Sequence, residues 1–105
     1  MIGTEIFIEV SLTRNKPTKL TWQIKLANFA RFILRLDGVN MSASLFELTV
    51  DELSFEQQAI CKICIMDGRA IADELKVGSK FEIPIGDDIL ATGEVLRIIP
   101  NSEFE

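Results

Sequence analysis

The feature that most constrains this chain is an alternation of apolar and polar residues that returns after each polar break. In EIFIEVSL, Ile6, Ile8, Val10 and Leu12 fall on one face and Glu5, Phe7, Glu9 and Ser11 on the other. That is the repeat of a half-buried strand, because successive strand side chains point to opposite faces. RNKPTKL interrupts it, and Pro17, with no N–H and a fixed φ, suits a loop. LTWQIKLANFARFILRL resumes the alternation and sets Ala30, Phe32 and Leu34 against Phe29, Arg31, Ile33 and Arg35. Asp37-Gly38 is a favoured two-residue hairpin connection, and SASLFELTV reads as the next strand.

Residues 51–58 are ambiguous, since Asp51, Ser54 and Glu56 suit either a loop or the start of a short helix. The Ile and Cys residues that follow favour a loop and then a strand from about Ala59 to Met66. A turn at Lys76 to Ser79 leads into a strand carrying Phe81, Ile83 and Ile85, and Gly86 to Asp88 close a hairpin with ILATGEVLRII. Pro84 places its strand at an edge or marks a distortion within it.

Six or seven short strands without a long helix predict an all-β fold. A small closed antiparallel barrel of about six strands is preferred to an open sandwich, because closure removes the exposed edges. At 105 residues one domain, 1–105, is expected, with enough chain to bury roughly 65% of its unfolded surface. Residues 101–105 are expected to form a loose tail. No apolar run approaches the ~18 residues of a membrane helix. The opening MIGTEIFIEV lacks a basic start and places Glu5 and Glu9 among its apolar residues, so it does not read as a secretory signal. A cytoplasmic protein with no membrane association is the expectation, and two closely spaced cysteines agree with a reducing compartment.

The residues exclude several chemistries. Without any His, neither a Ser-His-Asp nor a Cys-His nucleophile can be assembled. Cys61 and Cys64 form a Cys-x-x-Cys, but on a strand that spacing sends the thiols to opposite faces, and a zinc site would lack two further ligands. Both are read as structural. Gly78-Ser79-Lys80 has the wrong order for a phosphate-binding loop and leads into a strand, so GTP is not expected to bind. No cofactor, metal or catalytic residue is expected. The single Trp22 reads as a core or barrel-end residue.

The order of segments resembles the C-terminal β-barrel of elongation factor Tu and related translation GTPases. The resemblance runs through EIFIEVSL, FARFILRLDGV, EQQAICKICIM and FEIPIGDDILATGEVLRII, with Phe81, Ile83, Gly86, Gly93 and Val95 matching that family's closing hairpin. It implies a stand-alone barrel without the GTPase domain. In that family the barrel helps to hold aminoacyl-tRNA and contacts protein domains and exchange factors, so the implied role is that of a binding module.

Charge suggests where such a module binds. Residues 1–36 carry 6 − 2 = +4 and residues 37–105 carry 5 − 14 = −9. A negative protein repels a phosphate backbone at long range, which favours a protein partner and leaves RNA to a local basic strip. Arg31 and Arg35, on one face with Phe29 and Ile33, form the candidate strip; packing of Phe29 and Ile33 into the core is the alternative. Asp73, Glu74, Asp87 and Asp88, with Asp51, Glu52 and Glu94, are the candidate acidic surface. Such a surface would suit an immunity or antitoxin protein that neutralises a basic toxin, the alternative to the translation-like module.

Overall fold

The computed structural model describes residues 4–100 and 103. The chain is all-β, with β1 (Ile6–Arg14), β2 (Arg31–Leu36), β3 (Val39–Phe46), β4 (Gln58–Ile65), β5 (Lys80–Ile85) and β6 (Asp88–Ile99). These close into an antiparallel barrel in the order β1-β4-β3-β2-β5-β6. Among the described residues no helix is long and apolar enough to cross a membrane. Of the expected loose tail, residues 101, 102, 104 and 105 lie outside the described residues, while Glu103 accepts a 2.7 Å hydrogen bond from Arg97 Nη1.

Alternation decides which side chains fill the barrel. Ile8, Val10 and Leu12 of β1 are fully buried, and they meet Leu34, Leu36, Leu45, Ile63, Ile83, Leu90 and Val95 in one core. Asp37 and Gly38, at φ 51° and 78°, turn β2 into β3, the doubly positive geometry that matches the twist of a two-residue hairpin. Gly86, at φ 58°, opens the two-residue turn between β5 and β6. Residues 51–57 contain no helix, in line with the loop reading, and β4 begins one residue before the expected Ala59. The distortion expected at Pro84 is present as a register shift between Ile83 and Pro84.

Two expected strands are shorter than the alternation suggests. Residues 20–30 are not strand. Thr18 and Thr21 instead bind each other's backbone and hydroxyl groups, with Thr18 N–H donating to Thr21 Oγ1 at 2.9 Å. β3 stops at Phe46 rather than continuing to Val50, because Glu47 adopts φ 53° and the Asn28 amide takes both backbone groups of Leu48, at 2.7 and 3.1 Å. A side chain there replaces a neighbouring strand.

Because neighbouring strands run in opposite directions, the barrel has two distinct ends. Thr13 of β1 lies opposite Gln58 of β4 and Thr92 of β6, so 15–30, 47–57 and the turn 86–87 share one end. The 37–38 turn and residues 66–79 emerge at the other.

Candidate functional site

The end formed by 15–30, 47–57 and 86–87 is organised around Arg14. Alternation along β1 continues past Leu12 to send Arg14 inward, leaving it 2% exposed. Its guanidinium donates from Nη2 to Thr21 O at 3.0 Å and from Nη1 to Leu53 O at 3.3 Å. The Phe55 ring lies 4.5 Å from Cζ, within cation–π range. Arg14 N–H also donates to Gln57 O, and its carbonyl accepts from Glu56 N–H. One residue therefore ties two long loops to the end of the barrel. Burial lowers the arginine pKa against the opposing field of Glu52, yet arginine remains charged at neutral pH.

The loops at this end also carry large apolar side chains that folding does not cover. Leu20 is 52% exposed, Trp22 58%, Phe29 83% and Phe55 44%. Phe29 is also held at φ 72°, a left-handed conformation that costs a non-glycine residue roughly 1–2 kcal/mol. Its N–H donates to Leu45 O at 2.7 Å, so the β2–β3 pairing fixes the position. The charges on these loops are mixed. Lys16, Lys19 and Lys25 lie on 15–30, Glu47, Asp51, Glu52 and Glu56 on 47–57, and Asp87 and Asp88 at the β5–β6 turn, giving 3 − 6 = −3 before Arg14 is added. A cavity of about 670 Å³ is lined here by Arg14, Lys16, Glu56, Asp87 and Asp88 among others.

The residues expected to form binding surfaces are distributed differently from the sequence reading. Arg31 and Arg35 do share the outward face of β2 with Ile33, but Arg35 is engaged by Glu82, with Nε and Nη2 donating to Oε1 at 2.9 and 2.6 Å. Phe29 and Ile33 do not pack inward; Ile33 is 40% exposed. Asp87 and Asp88 lie at the Arg14 end, with Asp87 exposed in the turn and Asp88 half-buried in β6. Asp73 and Glu74 are exposed on 66–79, at the opposite end, so the acidic residues do not make one face. Trp22 is in a loop at a barrel end and is not core. The sequence reading missed Arg14 as an anchor and passed over Leu20 and Phe55; for Arg14 the signal was present, as the next inward position of β1.

The two thiols face opposite sides of β4. Cys61 belongs to the core, and burial pushes its pKa up to about 12. Cys64 faces outward opposite Phe7 and Ser44 but is covered, and burial, with Glu5, raises its pKa too. Both thiols are neutral at physiological pH, which removes their nucleophilic form. Among the described residues no group of three or more Cys, Asp or Glu side chains could hold a metal ion. The chain matches no protein-family model, and no curated protein matches it.

Proposed function

We propose that the chain is a non-catalytic binding module, built on an elongation-factor-like barrel, that presents its Arg14 end to a protein partner. The observation that carries this reading is the exposure of Leu20, Trp22, Phe29 and Phe55 on loops at one barrel end, among charges of both signs. Single exposed apolar residues need no explanation, but aromatic anchors inside a polar rim are the anatomy of a protein interface. The strain at Phe29 supports the same reading, since it holds an aromatic ring in solvent at a cost to folding. Arg14 limits the ordering these loops must undergo on binding.

Protein is favoured over RNA at this site. The carboxylates on these loops outnumber the lysines and weaken attraction to phosphate. The strip on β2 is left with Arg31, because Arg35 is paired. The resemblance to the elongation-factor barrel adds support through that family's contacts with other protein domains. For a toxin-neutralising role, the acidic residues of each end would have to act separately.

Affinity capture from the native cell, followed by titration of the purified partner, tests the proposal. Replacing Trp22 and Phe55 with Ala is expected to weaken binding by at least about 2 kcal/mol, as for central aromatic anchors. Charge reversal of Asp73 and Glu74, at the other end, is expected to change it by less than about 0.5 kcal/mol. The opposite order, or capture that nuclease treatment abolishes, contradicts the assignment.

A further inference from the structure

The barrel wall is not uniformly joined. Eight registered residue pairs link β1 to β4 and eight link β1 to β6; six link β2 to β3, six link β5 to β6 and four link β3 to β4. β2 and β5 have one, Arg35 opposite Glu82. Continuing that register toward the start of β2 places Ile33 opposite Pro84. Proline has no N–H to donate, and β5 also shifts register between Ile83 and Pro84. The local sequence therefore ends the ladder.

The β2–β3 hairpin shows which backbone groups face the seam. Leu36 and Val39 flank a two-residue turn and form its hydrogen-bonded closing pair, so Leu36, Leu34 and Phe32 aim their backbone groups at β3. Arg35, Ile33 and Arg31 aim theirs at β5. At the one residue pair that bridges the seam, the side chains also meet, through the two hydrogen bonds from Arg35 to Glu82 Oε1. Both side chains are about one-third exposed, so water and salt reach the ion pair. Beside the interrupted ladder, Ile33, Pro84 and Ile85 line a groove of about 440 Å³.

We propose that the β2–β5 seam is the place where this barrel opens, and that the Arg35–Glu82 ion pair is its latch. Opening parts β2 from β5 while each remains paired on its other side, β2 to β3 and β5 to β6. The motion is local rather than global unfolding, and weakening the latch increases it.

Residue-resolved amide exchange tests this directly. After correction for intrinsic rates, the amides of Ile33 and Arg35 are expected to exchange at least about tenfold faster than those of Leu34 and Leu36 in the same strand. Arg35→Ala is expected to accelerate the Ile33 and Glu82 amides about two- to fivefold, the range for an exposed ion pair, with β1 and β4 unchanged. The exchanged pair Arg35→Glu with Glu82→Arg is expected to restore protection, and high salt to move the parent protein toward the Arg35→Ala rates. Equal protection on both sides of β2 overturns the proposal, as does equal acceleration of every strand. If Arg35→Ala does not fold, the alternation along β2 and its salt dependence in the parent protein decide the matter.

Discussion

Arg14 shows how a single inward position can organise a surface. Arg14→Leu keeps much of the side-chain volume but leaves the buried carbonyls of Thr21 and Leu53 without their donors. A loss of about 2–3 kcal/mol is expected in denaturant unfolding, in the range for unsatisfied buried acceptors. Phe29→Gly should act in the opposite direction. Relief of the left-handed strain, less the added freedom of glycine in the unfolded chain, leaves a gain of up to about 1 kcal/mol, while partner binding weakens. Stability that falls along with binding would make Phe29 a structural residue. Cys61 supplies a pH test. Its folded pKa is raised from 9.0 to about 12, so the thiol is neutral in both states below 9 and ionises first in the unfolded chain above it. Its stabilising contribution is therefore complete below pH 9 and lost as pH rises toward 12, at about 1.4 kcal/mol per unit. Cys64, whose pKa is also raised, contributes in the same direction, so the Cys61 part is the difference between the parent protein and Cys61→Ala. Unfolding free energy measured against pH in Cys61→Ala should lack that component.

Among the elements, the closing hairpin shows how packing restricts residue choice. A Cβ added at Gly93 would lie 2.3 Å from Cζ of Phe81, whose ring is buried opposite it. Gly93→Ala is expected to destabilise by about 1–3 kcal/mol, the range for overpacking. Adding Phe81→Leu should recover part of that loss, and strictly additive effects in thermal unfolding would deny the contact. This hairpin was legible because its alternation, its Gly-containing turn and Pro84 all act locally. The Asp37-Gly38 turn was legible for the same reason. Residues 20–30 were not, because their alternation resembles a strand while hydrogen bonds of the Thr18, Thr21 and Arg14 side chains hold the start of that segment in turns. The end of β3 was hidden in the same way, since Asn28 replaces a strand partner twenty residues away in sequence.

For the whole molecule, closure was legible from strand number and the absence of a long helix. Circular dichroism should therefore show β structure, and more than about one-third helix would contradict the fold. The candidate site was less legible, because sequence order does not reveal which loops share a barrel end. The sequence reading joined Asp73 to Asp87 and passed over Phe55, whereas the topology sets Asp73 and Asp87 at opposite ends and brings the Trp22 and Phe55 loops to one end. The proposed role depends on that regrouping. Trp22 is the only tryptophan and is exposed at the candidate interface, so a fluorine-labelled tryptophan at this position reports from the site alone. On titration with the captured partner, its resonance is expected to shift and lose solvent accessibility in step with complex formation, and to stay unchanged with RNA. A complex that forms while the Trp22 resonance keeps its position and accessibility would contradict binding at the Arg14 end.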